Sequence, residues 1–180
     1  MPHITLNLKS VTALSVPLLL LTACGSTPAS LSETSRATAN LDKSAMSVLH
    51  VASVIDDREE GAVLTDLLGR EMEGVDLMSW LETSLEKRGV SLAETAPSDD
   101  MCSVDLSLKR AIVTAKKGTS KQSNLVFSVK PAGDSDAERK IIRGTDASMN
   151  WANTSGETNR ALGKALDNAL NKLSEHCDTI

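Results

Sequence analysis

Three segments between residues 102 and 151 alternate apolar and polar residues, and this alternation restricts the fold more than any other feature. A period of two residues places successive side chains on opposite faces of a β-strand. The segments predict three consecutive strands of a meander, each with one buried face. The side chains expected to point inward are Cys102, Val104, Leu106 and Leu108, then Leu125, Phe127 and Val129, then Ile141, Thr145, Ala147, Met149 and Trp151.

Polar stretches with a glycine separate these strands and predict turns. One covers residues 116–123 and contains Gly118, and the other covers residues 131–136 and contains Gly133. Lys109 and Arg110 interrupt the first alternation, which predicts a β-bulge near Arg110.

A first helix is predicted from Asp76 to Arg88, because apolar residues recur there at spacings of three and four. Asp76 suits the N-cap, and Gly89 suits the position after the last turn. Trp80 lies about 100° away from the centre of the apolar stripe. It is therefore either a tryptophan at the edge of the core or a contact for a partner.

A second helix is predicted after the capping box formed by Thr154 and Glu157. Its apolar stripe consists of leucines with alanines beside them, and small alanines allow close approach to a sheet. The stripe contains Leu162, Leu166, Leu170 and Leu173.

The remaining segments complete the predicted order of elements. Residues 46–55 are almost continuously apolar and predict a strand covered on at least one face, whereas residues 61–74 predict a loop with a short turn or an edge strand. The resulting β-α-β-β-β-α order predicts an α+β fold. It consists of a four-stranded, mainly antiparallel sheet with two helices packed on one face, in a single domain of residues 46–180.

Charged residues follow the first strand at positions 56–60. Clustered carboxylates could bind Ca²⁺ or act as an acid and base. A calcium loop, however, needs alternating oxygen ligands with a glycine turn and a distal carboxylate, and this run lacks that spacing. A solvated loop at the end of a strand is the favoured interpretation.

The N-terminus has the order of a bacterial lipoprotein signal. Lys9 and an apolar run from Val11 to Leu21 precede Thr22-Ala23-Cys24. The run is too short to span a bilayer, which needs roughly 20 residues, and its flanks are those of a secretory signal. The segment resembles a lipobox, which implies cleavage after residue 23 and acylation of Cys24. Residues 24–45 are rich in Ser, Thr and Ala and predict a flexible tether.

The two residues after Cys24 include no aspartate of the kind that resembles an inner-membrane retention signal. We therefore expect an outer-membrane lipoprotein that faces the periplasm, held by palmitate-type chains because two or more acyl chains anchor stably. An uncleaved signal anchor is the alternative.

Composition excludes several classes of partner. The net charge is −5, and the segment after residue 23 loses only Lys9, which leaves 18 basic and 24 acidic residues and a net charge of −6. An acidic body with only Phe127, Trp80 and Trp151 as aromatic residues argues against binding of nucleic acid. We expect no cofactor.

Acylation of Cys24 leaves Cys102 and Cys177. In an oxidising compartment two remaining cysteines predict a disulfide, and both belong to inward-facing patterns, so the bond would join the last helix to the first strand of the meander. Two separate buried thiols are the alternative. With only His50 and His176 after the signal, we expect no metal site.

The chain resembles the YajG-type family of outer-membrane lipoproteins. The segments that carry the resemblance are LTAC, VDLMSWLETSLEKRGV, VDLSLKRAIVTAKKG and ETNRALGKALDNALNKL, and the polar loop at Asp56-Asp57-Arg58 is similar to the turn after that family's first strand. The resemblance implies no catalytic or ligand-binding residues. The order of elements is also similar to auxiliary lipoproteins of ABC-type transporters.

We expect a non-enzymatic lipoprotein that acts through contacts with an envelope protein in envelope maintenance or transport. The alternative is a lipid- or peptidoglycan-binding auxiliary lipoprotein of an ABC-type transport system. A protein-contact module requires an exposed apolar patch, a lipid binder an apolar cavity of several hundred Å³, and a hydrolase requires His50 or His176 in a cleft beside a serine and an acid.

Overall fold

The computed structural model describes part of the chain after residue 40. The predicted signal peptide (residues 1–23), Cys24 and the tether up to residue 40 lie outside the described residues, as do Trp151 and Thr154. The described residues are 41, 43–65, 67, 69–72, 76–93, 97–116, 120–149 and 155–178.

Five strands form one mixed sheet in the order β2-β1-β3-β4-β5. Strand β1 is parallel to β2 and β3, whereas β3, β4 and β5 form an antiparallel meander. The strands are β1 (Leu49–Asp56), β2 (Ser91–Leu92), β3 (Cys102–Lys116), β4 (Ser120–Pro131) and β5 (Lys140–Met149), and the helices are α1 (Lys43–Met46), α2 (Leu77–Glu86) and α3 (Ser155–Cys177).

The predicted α+β class and meander are confirmed, but the sheet is mixed and has five strands rather than four, and the described residues form three helices rather than two. The helix α2 lies in the connection between β1 and β3, and a connection of this kind lets two neighbouring strands run in the same direction. The additional strand β2 has only two residues and lies in the connection between α2 and β3.

The packed body begins before the predicted boundary at residue 46. Leu41 is buried, and α1 at Lys43–Met46 brings Met46 into the core. Residues 41 and 43–45 therefore belong to the folded body, although the sequence assigned them to the tether.

One hydrophobic core lies between the helices and one face of the sheet. Helix α3 packs across β5, β4 and β3, and α2 packs against β1 and β2. The four leucines of the α3 stripe are buried, as predicted, and burial of four such side chains contributes roughly 6–12 kcal/mol before chain entropy is subtracted.

The side chains of β5 that point into the core are not the predicted ones but those that alternate with them. Ile142 and Gly144 point into the core, whereas Ile141, Thr145, Ala147 and Met149 are exposed. Gly144 lies directly under α3: a Cβ added there would be 1.9 Å from the Ala165 carbonyl oxygen and 2.8 Å from the Ala169 Cβ. The helix rests on this strand only because residue 144 has no side chain and the helix presents alanines.

Several local predictions are confirmed. The Asp76 carboxylate accepts a hydrogen bond of 2.9 Å from the Ser79 N–H and caps α2. Gly89, with φ of 88°, follows the end of that helix. The register of β3 against β4 shifts between Leu108 and Arg110, where the bulge was predicted.

One disulfide and two ion pairs connect elements on the packed side of the molecule. The predicted disulfide joins Cys102, at the start of β3, to Cys177, at the end of α3. The buried Arg88 guanidinium pairs with Asp167 of α3 and donates to the Ser84 carbonyl oxygen at 2.9 Å. The Lys121 ammonium of β4 pairs with Glu157 of α3.

Candidate binding face and edge cleft

The helices cover only one face of the sheet, and the opposite face, which we call the open face, carries the side chains that alternate with the core residues. Its strongly exposed members belong mainly to β4 and β5. Among the described residues, no helix or strand packs over this part of the open face. It is therefore the largest surface on which a partner could dock without disturbing the core.

A row of two arginines crosses the centre of the open face. The register places Arg110 of β3 beside Val126 of β4, and Val126 beside Arg143 of β5. Two strand spacings separate the arginine Cα atoms, or about 10 Å. Neither guanidinium group forms an ion pair or hydrogen bond with another described residue. Two such guanidinium groups on an acidic chain mark a surface suited to an anionic partner.

Apolar side chains on the open face lie on either side of this row. Ile141 is 47% exposed and Met149 58% exposed, at the two ends of β5. Ile55, which is 51% exposed, lies in the same cross-strand row as Ile141, with two serines between them. The open face therefore combines apolar and cationic contacts, as protein interfaces commonly do.

A cleft lies at one edge of this face, where β1 ends before β3 does. Pairing between the two strands stops at Asp56 and Leu108, but β3 continues to Lys116. The chain after β1 turns away from β3, and the gap between them is a cleft of about 370 Å³. We call it the edge cleft; it is lined by Arg58, Glu59, Ala62, Val63, Lys109, Arg110, Ala111 and Ile112.

Ion pairs hold the outer wall of the edge cleft in place. Arg58 donates to both carboxylate oxygens of Asp56, at 2.8 and 2.7 Å, and to the Ala62 carbonyl oxygen at 3.3 Å. Lys109 of β3 pairs with Asp57. The hydrogen bonds from Arg58 lower the pKa of Asp56, and the same contact raises the pKa of Arg58. The acidic run at residues 56–60 therefore contributes to the outer wall of the cleft.

The other long edge of the sheet is partly closed by side chains of α3. The Lys172 ammonium donates to the Arg143 carbonyl oxygen at 2.7 Å, and the Asn168 side-chain oxygen accepts from the Thr145 N–H at 3.4 Å. Such capping opposes pairing of an edge strand with another chain. The cleft beside β3 is thus the more accessible strand edge.

The candidate catalytic histidines do not form a triad among the described residues. His50 is 2% exposed, and its Nδ1 lies 3.2 Å from the Ser91 hydroxyl, with no described carboxylate on the ring. His176 lies in the last turn of α3, beside a groove that Lys172 and Glu175 also line. In the same described part, no group of three metal-ligating side chains is present.

Trp80 lies in the core rather than on the surface. It is 4% exposed, and no described residue accepts a hydrogen bond from its indole N–H. The position on the flank of the helix stripe left both outcomes open, and the observed burial does not support a surface contact. Sequence reasoning missed the arginine row, because Arg110 and Arg143 are 33 positions apart and only the strand register brings them together.

None of the helices in the described ranges combines the length and apolar character that crossing a bilayer requires. This finding concerns the folded body, since the predicted signal peptide lies outside the described residues.

Comparison with protein-family models gave no match, and comparison with curated proteins gave none either. Among solved structures, the chain is similar to protein XCC0632 from Xanthomonas campestris, of the family DUF330, with a TM-score of 0.48, 8% identity, and coverage of 85% of this chain and 98% of that one. It is also similar to an uncharacterised protein, with a TM-score of 0.41, 10% identity, and coverage of 73% and 92%. Membership of the YajG-type family stays a prediction.

Proposed function

We propose that this chain is a membrane-anchored periplasmic lipoprotein without enzymatic activity, which acts through protein contacts in envelope maintenance or transport. Acyl chains on Cys24 hold it at the outer membrane, and the tether places the folded body within reach of envelope proteins. The sequence of residues 9–24 supports the anchor.

The open face is the observation that carries the proposed contact function. Ile141 and Met149 are exposed on the same strand as Arg143. Apolar side chains beside arginines without ion-pair partners are typical of protein-binding surfaces, where arginine is enriched. The packed side has no such opening in the described structure, because the side chains of α2 and α3 occupy it.

A lipid- or peptidoglycan-binding auxiliary lipoprotein of an ABC-type transport system is the second candidate. The observation that favours it is the same row of Arg110 and Arg143, since guanidinium groups also bind phosphate. Two further surface grooves, of about 540 and 500 Å³, have charged residues in their lining. They lack the predominantly apolar lining of a lipid cavity, so the contact function has more support.

Site-specific photocrosslinking in the intact envelope tests the proposed function. A photoreactive side chain at Thr145 or Gln122, both exposed on the open face, should give a discrete adduct with an envelope protein. The same side chain at Glu82, exposed on α2, is the matched control and should give none. Adducts of equal intensity from all three positions, or none from the open face, would overturn the proposal.

The anchor is tested separately with radiolabelled palmitate. The wild-type chain should incorporate the label and sediment with outer membranes, whereas a Cys24→Ala variant should lose both properties. Membrane fractionation of the Cys24→Ala variant at the wild-type level, without label in either protein, contradicts the proposed anchor.

A further inference from the structure

We infer that the edge cleft binds an extended acidic segment of a partner protein, which adds as a short strand along β3. This inference rests on the proposed contact function and deepens it, because it assigns one binding mode and one partner chemistry to a defined part of the surface. Strand addition at an open edge uses main-chain hydrogen bonds for affinity and side-chain contacts for selectivity.

The backbone of β3 presents an open stretch of edge at the cleft. The Leu108 carbonyl oxygen accepts the last hydrogen bond from the β1 side, given by the Asp57 N–H at 2.9 Å. Farther along, the Val113 carbonyl oxygen accepts from the Thr65 hydroxyl at 3.4 Å. Ala111 lies between them, and alternation along a strand directs its N–H and C=O to this same edge. No hydrogen bond from another described residue reaches Ala111 on that side.

The cleft has the dimensions of a short strand. Residues 108 to 113 of β3 span roughly 16 Å, enough for about four residues of an added segment. The segment would occupy the position that β1 leaves when it ends at Asp56. The pairs Asp56–Arg58 and Asp57–Lys109 fix the opposite wall, so little order has to be imposed on the cleft when a segment binds.

Three basic residues, Arg58, Lys109 and Arg110, line the cleft with one acidic residue, Glu59, and this balance favours an acidic segment. Arg58 and Lys109 are engaged by aspartates within the wall. Arg110 lines the same cleft, is exposed, and has no ion-pair partner among the described residues. A carboxylate on the added segment would pair with it through charge-assisted hydrogen bonds. Val63, which is also exposed in the lining, adds an apolar contact.

A peptide-binding measurement on the full-length chain in detergent micelles tests the inference. The probe is a fluorescein-labelled octapeptide of alternating Glu and Val, and its counterpart alternates Lys and Val. Fluorescence anisotropy should show at least about tenfold tighter binding of the Glu peptide. Addition of that peptide should slow hydrogen exchange of the Ala111 amide, which is the response expected of strand addition and not of a diffuse ionic contact.

Two variants remove the binding mode in different ways. Arg110→Glu reverses the charge, and Ala62→Trp fills the cleft from an exposed position; each should weaken binding of the Glu peptide about tenfold. Arg139→Glu makes the same charge change at an exposed arginine outside the cleft lining and should alter binding less than about twofold. Circular dichroism establishes that each variant is folded.

Other occupants give different results, and each overturns the inference. Binding to vesicles with phosphatidylglycerol, lost in Arg110→Glu without any Glu-peptide binding, indicates a lipid headgroup. A concentration-dependent dimer that Ala62→Trp abolishes and the Glu peptide does not displace indicates a second copy. Unchanged peptide binding by both cleft variants also overturns it; if Thr145 still crosslinks to an envelope protein, the proposed contact function survives, and if that adduct is absent too, both fail.

Discussion

The two faces of the sheet are formed by the same strands but differ in what surrounds them. On the covered face, side chains pack against α2 and α3, and polar groups such as Arg88 and Asp167 are paired. On the open face, Arg110 and Arg143 have no ion-pair partner among the described residues, and Ile141 and Met149 remain exposed.

This difference assigns separate roles to the two sides. Buried groups that lose their partners cost stability, whereas exposed substitutions away from special features change stability within about 0.5 kcal/mol. We therefore expect changes on the covered side to alter the free energy of unfolding and changes on the open side to alter binding. Substitutions on each side test whether this division of roles holds.

The largest loss of stability is expected when the disulfide is removed. Cys102 and Cys177 are 75 positions apart, and opening a loop of this length costs about 4 kcal/mol in the chain-entropy account. Urea unfolding of the Cys102→Ala/Cys177→Ala variant measures the loss, with Ser103→Ala, on the alternate face of β3, as the control. A loss below about 1 kcal/mol would contradict the assigned role of the bond.

Breaking the buried ion pair should have the next largest effect. Asp167→Asn removes the carboxylate that pairs with the buried Arg88 guanidinium, which keeps the Ser84 and Gly163 carbonyl oxygens as acceptors. We therefore expect a loss of about 3 kcal/mol in the free energy of unfolding. The double variant Arg88→Met/Asp167→Leu removes both charges and should be more stable than Asp167→Asn. If the double variant is less stable than Asp167→Asn, the two side chains stabilise the fold by more than neutralising each other's charge.

The elements that sequence reasoning predicted are those with strong local patterns. The alternation from Cys102 to Leu108, the leucine stripe of α3 and the capping Asp76 each depend on neighbours in sequence, and the structure contains all of them. The disulfide followed because both cysteines continued an inward-facing pattern. Local periodicity carries this information directly.

Features that depend on distant pairing were missed. Strand β2 has two residues and exists only because β1 lies beside it. The prediction of which side chains of β5 point into the core was wrong. Ile141 and Ile142 are both apolar, so either could be the buried one, and Gly144, which is buried on the same face as Ile142, has no side chain to contribute to the apolar pattern. The edge cleft results from unequal lengths of β1 and β3, which no local pattern reports.

The close approach of α3 to β5 predicts an effect opposite to the usual one. Gly→Ala in a strand commonly stabilises when the backbone conformation permits it, but at Gly144 the added Cβ would overlap the Ala165 carbonyl group. We expect Gly144→Ala to lower the free energy of unfolding by about 2 kcal/mol, as overpacking does. Chemical denaturation measures this, and Thr145→Ala, next in the strand but exposed, is the control. An unchanged or raised stability contradicts the close packing.

The smallest effect on stability, and the most informative for the open side, is expected at the wall of the edge cleft. Asp56→Asn removes the ion pair between Asp56 and Arg58. Because this pair is partly exposed, the free energy of unfolding should fall by only about 0.5 kcal/mol at pH 7. Arg58 lowers the pKa of Asp56 below 3.8, and the stabilisation is therefore present above the unfolded-state pKa and lost as pH falls through the lower folded-state pKa.

The stability difference between wild type and Asp56→Asn should consequently close below pH 3.8. Urea unfolding of both proteins as a function of pH measures it, with Asp99→Asn, an exposed aspartate outside the cleft lining, as the control. At pH 7 the same substitution should weaken Glu-peptide binding, because the wall beside Ala62 is then less ordered. A large loss of stability without a change in binding would mean that this wall belongs with the covered side, and the separation between the two sides would fail there.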